Sequence, residues 1–157
     1  MGRRKLNPGT PDKIVSSLFG LGYAPFAPGT LGTAGAAVFY VLFLSDMSTG
    51  SFALFWAVFT LASVFVCGRA AEAFGEKDPQ KIVMDEAAGF FTAMLVSSGA
   101  VVEIVAGFAL FRIFDIVKIY PSRRIEKLPG GWGIVLDDVY AGLLAAVAVG
   151  VLSFFEV

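Results

Sequence analysis

Five apolar stretches alternate with polar ones along the chain, at about 31–44, 52–67, 87–96, 101–114 and 139–155. Each is shorter than the roughly 20 residues that cross a bilayer squarely. Flanking uncharged residues extend several of them, and a segment packed inside a bundle can be partly re-entrant. The pattern predicts an all-α fold: a multihelical membrane bundle of about five short or partial transmembrane segments, with residues 1–157 as one domain. A soluble five-helix bundle is the alternative reading.

The positive charges separate the two. If all five stretches cross with the N-terminus inside, the inside connections are 1–30, 68–86 and 115–138. Arg3, Arg4, Lys5 and Lys13 fall in the first and Arg69, Lys77 and Lys81 in the second. Lys118, Arg123, Arg124 and Lys127 fall in the third, with Arg112 one turn into the helix at the same end. All 12 Lys and Arg then lie at the cytoplasmic end. The positive-inside rule predicts this distribution, whereas a soluble bundle has no reason to produce it.

Composition strengthens the lipid reading. Hydrophobic residues make up 57% of the chain and the mean hydropathy is +0.77, against about 45–50% apolar in soluble domains. A net charge of -1 gives no nucleic-acid signal. No cleavable signal peptide is expected, because no apolar core promptly follows Arg3-Arg4-Lys5. The chain has no histidine, which removes histidine bases, phosphohistidine chemistry and the usual zinc sites. Cys67 stands alone in an apolar run and reads as a small buried hydrophobe. No Cys-x5-Arg or Asp-x-Asp phosphatase signature is present.

Against this background the acids stand out. Asp85, Glu86, Asp115, Asp137 and Asp138 lie at or near the ends of apolar runs, at the same end as the cations. Ionisable groups beside low-dielectric surroundings are costly unless paired or bound to metal. A hard cation with an anionic substrate accounts for them.

Asp85-Glu86 opens an apolar stretch, where one acid can cap a helix while the other reaches inward. Asp137-Asp138 is expected to repeat this arrangement before the last helix. Two dipole-complementing pairs would look the same. Arg112-x-x-Asp115-x-x-Lys118 has helical spacing, so all three can share a face. The glycine- and proline-rich run 20–33 reads as a turn-rich loop in which Thr30 or Thr33 caps the next helix. Such a loop can also offer amides to phosphate. Arg123 and Arg124 stand in a basic loop suited to phosphate or anionic headgroups.

Taken in order, four blocks resemble the phosphatidylglycerophosphatase A family over about residues 18–142. They are the 20–33 loop, Ile82-Val-Met-Asp85-Glu86-Ala-Ala-Gly89, Phe111-Arg112-Ile-Phe-Asp115-Ile-Val-Lys118, and the Pro129–Gly142 run containing Asp137-Asp138. The family's usual proline after the block-three lysine is replaced by Ile119, a local change of loop geometry.

The resemblance implies a Mg²⁺-dependent lipid phosphatase of the bacterial inner membrane. It would convert phosphatidylglycerophosphate to phosphatidylglycerol at the cytoplasmic face. Asp85, Glu86, Asp115, Asp137 and Asp138 would supply oxygen ligands to one or two Mg²⁺ ions, and one of them would serve as general base. Lys118, Arg123 and Arg124 would hold substrate phosphates, with Arg112 steadying Asp115. A covalent aspartyl-phosphate is the competing chemistry. From another class, a membrane cation carrier or channel would also use bundle carboxylates, although it would want some at mid-membrane, and only Glu103 lies toward the other side.

Overall fold

The computed structural model describes residues 10–155. Among these, every regular element is helical: α1 (Thr10–Ser16), α2 (Pro28–Phe39), α3 (Thr49–Phe74), α4 (Met84–Ala93), α5 (Val101–Val117), α6 (Ser122–Ile125) and α7 (Gly131–Phe155). A π-helical turn, Tyr40–Leu44, prolongs α2, and a 3-10 turn, Met94–Val96, prolongs α4. The all-α expectation holds. Arg3, Arg4 and Lys5 lie outside the described residues.

The short helix α4 is the centre, packed by α2, α3, α5 and α7. Every α4 residue except Glu86 is buried. Phe90 and Phe91 anchor an aromatic cluster, with ring centroids 5.2 Å apart for Phe59–Phe91 and 6.2 Å for Tyr40–Phe90. Such pairs add about 0.5–1.5 kcal/mol each beyond the area they bury.

Backbone contact sets the level of α4 against α7. A Cβ on Gly142 would stand 2.2 Å from the Gly89 carbonyl oxygen, and one on Gly89 would stand 2.7 Å from that of Asp138. Only glycine allows this approach. Asp85 and Asp138 each precede their crossing glycine by one turn, so the two helices run parallel and present both acids at one height.

Two sequence expectations are corrected. Asp137-Asp138 do not precede the last helix; α7 begins at Gly131 and they lie in its second turn. Gly131, despite its type, is helical and lies where α7 meets α3. A Cβ on it would lie 1.8 Å from the Val64 carbonyl oxygen. Likewise neither Thr30 nor Thr33 caps a helix. α2 starts at Pro28, a residue suited to a first turn because it lacks an N–H. Thr33 is interior to it, its hydroxyl donating to the Gly29 carbonyl at 2.9 Å.

Two helices, Thr49–Phe74 and Gly131–Phe154, are long and apolar enough to cross a bilayer; Pro28–Leu44 is a shorter apolar helix. At 1.5 Å per residue α4 reaches about 15 Å, half of a hydrocarbon core of about 30 Å. Only 22% of the α3 apolar window is buried. Leu54, Val58, Leu61 and Phe65 point outward, each more than half exposed. An apolar face of this extent fits a membrane-associated bundle.

Candidate active site

At one end of the bundle the start of α4, the end of α5, the start of α7 and the 75–83 loop enclose a cleft of about 140 Å³. Its lining includes Asp85, Glu86, Asp115, Asp137 and Asp138, so all five acids singled out in the sequence meet there, with Lys118. The cations Lys13 and Lys81 sit over the Phe74 ring at 4.6 and 5.4 Å, and Arg69 pairs with Asp12 at 3.1 Å.

The acids form two overlapping groups. Asp85, Glu86 and Asp138 can each offer an oxygen within 4.8 Å of the others, and so can Asp115, Asp137 and Asp138. Asp138 belongs to both. Asp85, Asp137 and Asp138 are 7%, 6% and 5% exposed. Charge at that depth must be answered by a partner.

The answer within the chain is incomplete. Arg112 Nη1 donates to Asp115 Oδ2 at 2.7 Å. Lys118 Nζ donates to Asp137 Oδ2 at 3.0 Å and pairs with Glu126 Oε1 at 3.2 Å. The Ser122 hydroxyl donates to Asp137 Oδ1. Asp85 Oδ1 and Glu86 Oε2 are buried with no hydrogen-bond partner. Orphaned buried carboxylate oxygens are rare in folded proteins. An all-oxygen donor set with unanswered negative charge is the chemistry that holds a hard divalent cation, so the residues fit a metal ion.

Burial opposes the charge on Lys118. The hydrogen bonds and charges of Asp137 and Glu126 outweigh it and hold the ammonium above the ordinary lysine value. Asp78, on the 75–83 loop, is raised above the usual carboxylate range by burial, with Lys118 opposing that rise.

Arg112 stands behind Asp115 rather than in the cleft lining, as a partner should. Arg123 and Arg124 are not brought into the cleft. They occupy the outward face of the one-turn α6 and are exposed, and Arg124 lies 5.0 Å over the Tyr120 ring. The sequence reading missed Asp78 and Ser122 as site residues. Both sit in polar sequence with no periodicity, and only tertiary contact brings Asp78 to the cleft lining and Ser122 to Asp137.

An acid-lined cleft at one end of an apolar helical bundle is of the class that could hold a metal ion. Comparison with known sequences narrows that class. Residues 14–153 match the family described as Phosphatidylglycerophosphatase A, and the chain belongs to it. A Haemophilus influenzae protein named Phosphatidylglycerophosphatase A is 34% identical over 154 residues, covering 97% of this chain and 94% of the relative. The Escherichia coli protein of that name is 31% identical, covering 98% and 88%. A Bacteroides thetaiotaomicron protein provisionally named a phosphatidylinositol-3-phosphatase is 34% identical, covering 88% and 91%. No solved structure matches the chain.

Proposed function

We infer that the chain is a lipid phosphatase that hydrolyses the terminal phosphate monoester of phosphatidylglycerophosphate, giving phosphatidylglycerol and phosphate. Family membership supports the reaction class. The observation that carries the site is the pair of carboxylate triads sharing Asp138, with buried oxygens on Asp85 and Glu86 that the chain leaves unanswered.

Asp85, Glu86 and Asp138 would hold one Mg²⁺, and Asp115 and Asp137 with Asp138 could take a second. When bound, Mg²⁺ supplies Lewis-acid charge that draws electron density from the phosphoryl group. The remaining work falls to the chain. Lys118 keeps its proton and donates to a phosphoryl oxygen, where a fixed cation in a dry site is worth far more than in water. Arg112 orients Asp115. Without histidine, a cleft carboxylate takes the proton of the attacking water. Arg123 and Arg124, outside the cleft, meet anionic headgroups while the acyl chains stay in the bilayer.

The topology that fits this chemistry has α2 to α5 and α7 as five membrane segments of a bacterial inner-membrane protein, α4 being a partial one. The cleft then faces the cytoplasm. The one-sided Lys and Arg distribution supports it. Reporter fusions after Asp46 and Ser98 should read outside, and fusions after Lys77 and Lys127 inside.

The deciding experiment is phosphate release by purified protein from phosphatidylglycerophosphate, a phosphatidylinositol phosphate and a water-soluble phosphomonoester, with and without Mg²⁺. Release from the first, dependent on Mg²⁺, is expected. No release from any of them would end the phosphatase reading, and divalent-cation flux across liposomes in its place would favour a carrier.

A further inference from the structure

We propose that Ser122 is a positioning residue for this hydrolysis, acting through Asp137 to aim the Lys118 ammonium into the cleft. The proposal rests on the phosphatase reading above.

Ser122 opens the one-turn α6 and is 3% exposed. Its backbone is pinned on both sides. Its N–H donates to the Ile119 carbonyl at 2.9 Å, and its carbonyl accepts from the Glu126 N–H at 3.0 Å. Its hydroxyl donates to Asp137 Oδ1, while the other carboxylate oxygen accepts from Lys118 Nζ at 3.0 Å. A carboxylate held at one oxygen still turns about its broad terminal torsion. Held at both, it cannot. Among the described residues, Asp137 is the cleft acid whose two oxygens are both engaged by non-acidic side chains. Asp115 is held by Arg112 at one oxygen, and Asp85 and Glu86 keep unpartnered ones.

The effect passes to Lys118. A lysine ammonium is a point charge on a flexible four-carbon stem. Two of its three N–H directions are taken by Asp137 and Glu126. The third is left for a substrate oxygen. Its backbone is constrained as well. Lys118 ends α5 with φ of 51°, a left-handed conformation that costs a non-glycine residue about 1–2 kcal/mol. Such a conformation persists where the surroundings over-determine it. Here the Lys118 N–H donates to the Phe114 carbonyl at 3.0 Å, and Asp137 and Glu126 hold the far end of the side chain. Positioning of this kind matters because misplacement by about 1 Å can lower a rate a hundredfold.

The test is steady-state phosphate release from phosphatidylglycerophosphate in detergent micelles with Mg²⁺, alongside thermal melting with and without Mg²⁺. Ser122→Ala should lower kcat by about ten- to a hundredfold, the range for one hydrogen bond to a charged group. KM and the Mg²⁺-induced rise in melting temperature should hold. Ser122→Thr, which keeps the hydroxyl, should recover most of the loss. Ser122→Ala added to Lys118→Ala should cause no further loss, because both remove the same aimed cation. Three results would overturn the role: wild-type kcat in Ser122→Ala, a lower melting temperature with kcat of the folded protein intact, or additive effects with Lys118→Ala. The wild-type control separates the two readings. An inactive wild type sinks the phosphatase reading, whereas an active one beside an unaffected Ser122→Ala sinks the positioning role alone.

Discussion

The two ends of the bundle each bury carboxylate, and they treat it in opposite ways. Glu103, on α5 at the end away from the cleft, is 2% exposed. It accepts hydrogen bonds from the Ser97 hydroxyl at 2.8 Å, the Ser98 N–H at 2.6 Å, the Ser98 hydroxyl at 3.0 Å and the Ser153 hydroxyl. Four donors saturate it, and the result ties the α4–α5 connection and α5 to the end of α7. At the cleft, Asp85 and Glu86 each keep a buried oxygen with no partner. Burial of an acid is therefore not the sign of function. A buried carboxylate oxygen left unanswered is instead where a cation could bind. The contrast also bears on the carrier reading, since Glu103 is sealed by its donors and offers no free oxygen to a passing ion.

The comparison is open to attack, most forcefully at Asp138, which both triads share. Asp138→Asn keeps the shape but removes a negative oxygen. Turnover should fall on the order of a thousandfold or more, with circular dichroism and melting unchanged. Wild-type phosphate release would take this residue out of the site.

Glu103→Ala should show the reverse pattern. It strands several donors, so stability should drop by about 3 kcal/mol in denaturant titration, while kcat of the folded protein stays at the wild-type value. A matching fall in kcat would make Glu103 functional after all.

Mg²⁺ itself probes the free oxygens. At roughly a hundred times its dissociation constant a ligand specific for the folded state adds about 2.7 kcal/mol. Calorimetric melting should register that gain in wild type and in Glu103→Gln, and lose it in Asp85→Asn. Equal responses in the two variants would erase the distinction between the ends.

The smallest effect belongs to Arg124, exposed over Tyr120 and outside the cleft. Arg124→Ala should raise KM for lipid about threefold and leave kcat alone, as loss of an interaction common to ground and transition states does. A fall in kcat would bring it into the reacting centre.

The cleft acids were legible because charge at the edge of an apolar run has few innocent explanations, and Asp85, Glu86, Asp115, Asp137 and Asp138 all converge as their positions foretold. The long helices α3 and α7 were legible in their apolar middles and not at their ends. Gly130 to Gly133 has loop composition, yet Gly131 and Gly133 are helical. A glycine that closes a helix crossing and one that opens a turn are the same letter. Ser122 was illegible for another reason. Its importance lies wholly in a hydrogen bond to a residue 15 positions away, and local sequence holds no trace of that.

The backbone contact between Gly89 and Gly142 acts as a gauge. It fixes how far the α4 acids stand from the α7 acids, and neither helix can slide or lean without lifting off the other. Small and large divalent ions differ by about 0.4 Å in preferred oxygen distance, which is less than the shift one added methyl group at the crossing would force, since it would stand 2.2 Å from the Gly89 carbonyl oxygen. If the cleft holds a divalent ion as proposed, discrimination by ion size would reside in two residues that have no side chains and stand about a turn from Asp85 and Asp138. A survey of the carboxylates alone would never find it.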